Sequence, residues 1–133
     1  KAVGERANGA VAVLDEALVA HGRESVVGTG DPMAHAVMIA LREAVTRLGR
    51  RSLAGTTVFS VVEPCPMCVG ALLACDADGV VYALSDPDEG ACVSATNLAE
   101  SKGLRRRLQV VSGILHDDAA DLRPDLASEA ART

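Results

Sequence analysis

The chain has 133 residues, enough for one domain with an ordinary core and too few for a comfortable second one, so residues 1–133 are expected to form a single domain. It is 49% hydrophobic but has one Phe, one Tyr and no Trp, so Ala, Val, Leu, Ile and Met must build the core; Phe59 and Tyr82 alone cannot supply the stacking platform of a single-strand nucleic-acid binder. A net charge of −5 opposes general phosphate-backbone binding, and with neither a long apolar run nor a signal-type leader the expected location is the cytoplasm, with no membrane partner.

A start at Lys1 rather than Met sets the expectation that a short segment, such as a first helix, precedes it. Ala10–Leu14 and Leu18–Ala20 flank Asp15-Glu16 and read as a two-stranded hairpin. Gly28-Thr29-Gly30 reads as a loop. Asp31-Pro32 then offers an N-cap and a proline at the first helical position, and apolar residues recur at helical spacing from Met33 to Leu48.

The β-branched run Thr56–Val62 predicts a buried strand. Glu63-Pro64-Cys65-Pro66 punctuates the start of a second helix reaching about Cys75, and Gly79–Ala83 predicts another strand. Ser85 to Gly103 predicts a loop with a short helix, Leu108–Leu115 a fifth strand, and residues 118–133 a modest helix or frayed tail. Such alternation of strands and helices is the pattern of a layered α/β fold. The dense basic cluster Arg105-Arg106-Arg107 reads as a solvated helix end or loop in preference to an RNA contact.

Four cysteines without a secretory leader point to metal or redox use for the clustered pair, Cys65 and Cys68, whereas Cys75 and Cys92 read as buried structural thiols. Spaced three apart on a helix, Cys65 and Cys68 face the same way. His35 stands at the start of the preceding helix. One neutral imidazole and two thiolates suit tetrahedral zinc with one position left for water, and the positive end of a helix favours ionised thiols. A dithiol redox pair at Cys65 and Cys68 is the competing use of the same cysteines, and it gives His35 no role.

The strings Asp31-Pro32-Met33-Ala34-His35-Ala36, Glu63-Pro64-Cys65-Pro66-Met67-Cys68-Val69-Gly70-Ala71 and Ser112-Gly113-Ile114-Leu115 resemble the cytidine/deoxycytidylate deaminase superfamily, above all its tRNA-adenosine and guanine deaminase branch. The resemblance implies a three-layer α/β/α fold with a five-stranded mixed sheet. It also implies Zn2+ held by His35, Cys65 and Cys68, a nucleoside or nucleobase ligand, and a homodimer or a heteromer with an active deaminase.

In that family a glutamate two residues after the histidine shuttles protons; here the position is Val37. Zinc deaminase-like binding without useful turnover, a pseudoenzyme, is therefore the leading expectation. An active deaminase using another acid-base group, or an engineered inactive variant of one, is the alternative. Glu24 stands where the resemblance places a substrate-contacting asparagine, which makes it a candidate substitute shuttle from the opposite wall. Glu63 is expected to bond backbone amides near the helix start, and Glu43 lies roughly 12 Å beyond His35 along the helix, too far to act. His35-Ala36-Val37-Met38 also resembles the non-catalytic subunit of eukaryotic heterodimeric tRNA adenosine deaminases, but the acidic balance and the tail at Leu122-Arg123-Pro124-Asp125 support tRNA only weakly.

Overall fold

The computed structural model describes residues 5–101 and 108–126, so the Arg105-Arg106-Arg107 cluster and the last seven residues lie outside the described part. The elements run β1 (Gly9–Leu14), β2 (Ala17–Arg23), α1 (Val26–Thr29), α2 (Ala36–Leu48), β3 (Thr56–Val62), α3 (Pro66–Ala74), β4 (Gly79–Leu84), β5 (Gln109–Val111) and α4 (His116–Ala120). They form a five-stranded mixed sheet in the order β2-β1-β3-β4-β5. β1 pairs antiparallel with β2 and β3, while β3, β4 and β5 run parallel.

The β1–β2 hairpin closes on Asp15 and Glu16, both at positive φ (51° and 66°), the hand of two-residue loop that follows strand twist. Parallel β3 and β4 cannot be joined by a hairpin, so the chain crosses over through α3. On β3 the burial alternates, with Thr56, Val58, Ser60 and Val62 turned inward. Val58, Val80 and Tyr82 pack there with Ala36, Val37, Ala40 and Leu41 of α2 and Val69 and Leu72 of α3.

Small side chains let α2 lie close on the sheet. A Cβ on Gly22 of β2 would collide with the Ala36 carbonyl oxygen and come within 2.8 Å of the Ala40 nitrogen. The backbone approach at Gly22 thus sets how deeply the start of α2, and His35 with it, sinks against the sheet. On the opposite face, Ala119 of α4 packs with Val61 and Ala83 and with Leu126, which gives the third layer of the α/β/α order.

Several boundaries differ from the sequence expectation. α2 begins at Ala36, not Met33, because the Asp31 carboxylate caps a tight turn by accepting the Met33 N–H (2.9 Å) instead of capping the helix. Gly28-Thr29 belong to the single helical turn α1 rather than to a loop. β5 stops at Val111, well short of Leu115, since Gly113 and Leu115 take positive φ (78° and 55°) and turn the chain away. No helix forms among residues 85–101, which are a series of turns. Of the two expectations for the end of the chain, the described part follows the modest helix, α4, and Ala119 and Leu126 are buried.

Candidate metal centre and its pocket

The parallel strands β3 and β4 deliver their carboxyl ends to one edge of the sheet, the usual place for a site in an open α/β sheet. Immediately after β3 the chain passes through Glu63 and Pro64 to Cys65, the N-cap of α3, with Pro66 at the first helical positions. His35 is the N-cap of α2. Both caps have extended backbone, and neither spends its side chain on a capping hydrogen bond, so imidazole and thiol are left free to meet.

They do meet. Cys65 Sγ lies 3.4 Å and Cys68 Sγ 3.6 Å from His35 Nδ1. All three ligand atoms fall within 4.8 Å of one another, the one such His/Cys/Asp/Glu group among the described residues. Bonds of about 2.3 Å to sulfur and 2.05 Å to nitrogen at tetrahedral angles require S···N edges of about 3.5 Å, so the observed spacing fits zinc. Between the two thiols, the Cys68 S–H donates to Cys65. That bond holds Cys65 down, to about 5, with help from the Cys68 and Met67 amides and the His35 charge. The same shared proton, then burial, pushes Cys68 upward.

A pocket of about 330 Å³ opens in front of these ligands, and Val37 lines it. Val37 is 1% exposed and offers only methyl groups to the cavity. Glu24 also reaches the pocket, and not from a detached opposite wall: its Oε1 accepts the Ala36 N–H (2.9 Å), which docks the carboxylate on the N-terminus of α2 beside His35. Glu43 is turned away and pairs with Arg47 (3.1 Å).

Glu63 accepts backbone amides as expected, but from the loop after β4 rather than from the helix start. It is 3% exposed; Oε1 takes the Asp86 N–H and the Ser94 hydroxyl, and Oε2 takes the amides of Cys92, Val93 and Ser94 (2.9–3.1 Å). A Cβ on Gly90 would collide with that carboxylate, so the loop wraps Glu63 at glycine distance. Ala91 N–H then bonds the Pro64 carbonyl (2.8 Å), tying the loop to the residue before Cys65. Cys92 is buried as expected, and burial with the Glu63 charge pushes its thiol up to about 12. Cys75 is only half-buried, as the C-cap of α3. All four cysteines are free.

Residues 2–84 match the cytidine and deoxycytidylate deaminase zinc-binding region, over more than half of the chain. The chain belongs to that family. A tRNA-specific adenosine deaminase of Bacillus subtilis is 32% identical over 119 residues, 90% of this chain and 74% of that protein. A guanine deaminase of the same organism is 40% identical over 80 residues, 60% of this chain and 51% of its own length. Among solved structures, one from a study of A-to-I editing by tRNA:A34 deaminases superposes with a TM-score of 0.82 at 29% identity, covering 86% of this chain and 83% of that one.

The cap residues His35 and Cys65 could be singled out from the sequence, but three pocket residues had no signal in it. Glu5 is buried and accepts the Val27 and Gly28 amides (2.8 Å each), fixing α1 at the pocket rim. Arg123, from the segment expected to be a modest helix or frayed tail, lines the pocket while bonded to Asp125 (2.9 Å). Asp86 comes in on the loop that Glu63 holds. Each is brought in by the tertiary fold across a long stretch of chain. No helix among the described residues is long and apolar enough to cross a membrane.

Proposed function

We propose that residues 1–133 are one zinc-binding deaminase-type domain that binds a nucleoside or nucleobase, with hydrolytic turnover silenced at Val37. In zinc deaminases the metal activates a water for attack on the amino-bearing ring carbon, and the glutamate of a His-x-Glu string acts as general acid and base. Here the string is His35-Ala36-Val37. The observation that carries the reading is the Val37 side chain itself, aliphatic, buried and lining the pocket beside the candidate ligands His35, Cys65 and Cys68. It can neither accept a proton from water nor pass one to a ring nitrogen or a departing amine. Positioned acid-base catalysis is worth about 10²- to 10⁴-fold, and one residue ordinarily serves several of these steps.

The zinc-loaded protein is therefore expected to release no ammonia from cytosine, adenine, guanine or pterin-like compounds, and the Val37→Glu variant to release it from at least one of them. Ordinary turnover by the unsubstituted chain would overturn the reading. It would also favour a second one, in which Glu24 is the proton-transfer group; the docking of its carboxylate on the Ala36 amide supports that alternative, and loss of turnover in Glu24→Gln would identify it. A binding role implies a partner, either a second copy or an active deaminase, and sedimentation of the protein alone and mixed with one tests this. Four free thiols support a cytoplasmic setting.

A further inference from the structure

We infer that the pocket selects a phosphate-free amino-heterocycle, held by a ring N–H donating to Glu24, and turns away the phosphorylated or strand-borne form of the same base. This rests on the ligand-binding reading above.

Glu24 follows β2, and its own N–H is tied to the Asn8 carbonyl (3.1 Å) while its Oε1 holds the Ala36 amide (2.9 Å). The carboxylate is thereby fixed in place, and among the described residues no hydrogen bond reaches Oε2. A carboxylate only accepts, so whatever occupies the pocket against it must bring an N–H or O–H. A ring edge carrying H–N–C–NH2 does so; one presenting a bare ring nitrogen there would set lone pair against lone pair.

The charges around the mouth decide the second half. Among the described residues two arginines stand there, and each is already paired with a carboxylate: Arg6 with Glu89 (3.5 Å) and Arg123 with Asp125 (2.9 Å). Glu5, Glu24, Asp86 and Asp88 line the pocket and the adjoining hollow and make no ion pair among the described residues, although the Arg123 guanidinium is near enough to feel the charges of Glu24 and Asp86. Glu5 and Asp86 are held by backbone amides instead, Val27 and Gly28 for the first, Asp88 and Glu89 for the second. Amides fix these carboxylates without cancelling their charge, and Arg123, already bonded to Asp125, offsets Glu24 and Asp86 only in part, so the carboxylates lining the pocket and hollow still outnumber the two described arginines. A phosphate on the ligand would lie among like charges in a partly water-excluded mouth, the arrangement that rejects a partner.

The test is calorimetric binding to the zinc-loaded protein of four probes that share one ring: guanosine, 1-methylguanosine, guanosine monophosphate, and a short RNA hairpin with an unpaired guanine. Guanosine is expected to bind, and the monophosphate and the hairpin to bind about tenfold or more weaker. Raising ionic strength from about 0.05 to about 0.5 M should narrow the gap between guanosine and its monophosphate as the Debye length shortens. Glu24→Gln keeps an acceptor for the Ala36 amide, so the fold should hold; it should weaken guanosine and leave 1-methylguanosine, which lacks the ring N–H, unchanged. Asp86→Asn should bring the monophosphate closer to guanosine. Monophosphate or hairpin binding as tight as guanosine, or a Glu24→Gln variant that binds guanosine normally, overturns the inference while leaving the reading of Val37 intact. Failure of all four probes to bind overturns the inference together with the ligand-binding half of that reading. Ammonia release by Val37→Glu reports on the silenced-turnover half separately.

Discussion

Replacing Glu63 by Gln should cost about 2–4 kcal/mol of folding stability and loosen the metal centre. The carboxylate takes four backbone amides and one hydroxyl, three of the amides on Oε2. Glutamine has one oxygen, and turning it toward the three amides of Cys92, Val93 and Ser94 leaves its NH2 facing the Asp86 N–H. The Ser94 hydroxyl can reverse and accept, but the Asp86 amide loses its partner, at about 1–3 kcal/mol for a buried donor. The remaining bonds lose the assistance of a charged acceptor, which adds about 1 kcal/mol. With a urea slope of about 2 kcal/mol per M, the unfolding midpoint should fall by about 1–2 M. The loop is tied through Ala91 to Pro64, next to Cys65, so zinc retention under a competing chelator should fall as well. A midpoint within about 0.3 M of the unsubstituted protein would refute the reasoning, since it would mean that water replaces the carboxylate at no cost.

Cys65→Ser and Cys68→Ser should each lose stoichiometric zinc, measured by elemental analysis of the purified protein, whereas Cys75→Ser should retain it; zinc retained in either of the first two would remove the three-ligand site. Gly22→Ala should unfold the protein or destabilise it by about 3 kcal/mol or more, because the new Cβ meets the backbone of α2 and not a flexible side chain; a thermal shift of less than a few degrees would show that α2 can retreat from the sheet. Cys92 should resist alkylation at pH 8 in the folded protein, read by mass spectrometry, because its thiol is pushed up to about 12. The sign follows from linkage. The folded state keeps this proton while the unfolded chain releases it above the ordinary value of 9.0, so Cys92's stabilising contribution is present below about pH 9 and is lost as pH rises toward 12. Stability that rises over that range on account of Cys92, isolated with Cys92→Ala, would contradict it.

Local chemistry in the chain determined a good deal. The β-branched run at Thr56–Val62 marked the central strand at its observed bounds, Pro66 marked the start of α3, and the spacing of Cys65 and Cys68 with a histidine at the start of an earlier helix marked three residues that the fold does bring within 4.8 Å of one another. These are short-range signals, set by side-chain branching, fixed φ and helical periodicity, and they survive whatever the rest of the chain does. The start of α2 misled because Asp31-Pro32 carries the same cap chemistry that a tight turn uses; which of the two forms depends on Glu24, twelve residues before Ala36, supplying the competing acceptor for the helix.

The environment of the ligands was decided only by the tertiary structure. A buried glutamate is ambiguous in sequence: Glu63 could bond the nearest helix, yet the donors that reach it come from the loop 86–94, delivered by β4 running parallel to β3. Glu5, Asp86 and Arg123 meet at one pocket although more than a hundred residues separate the first from the last, and no periodicity links them. Val37 was legible as an aliphatic residue two after His35, but whether its side chain lines the pocket depends on how deeply α2 sinks, and Gly22 on β2 sets that depth. Sequence determines what each residue can donate, accept or ligate; only the packing of α2 and α3 on the sheet decides which of those capacities face one another.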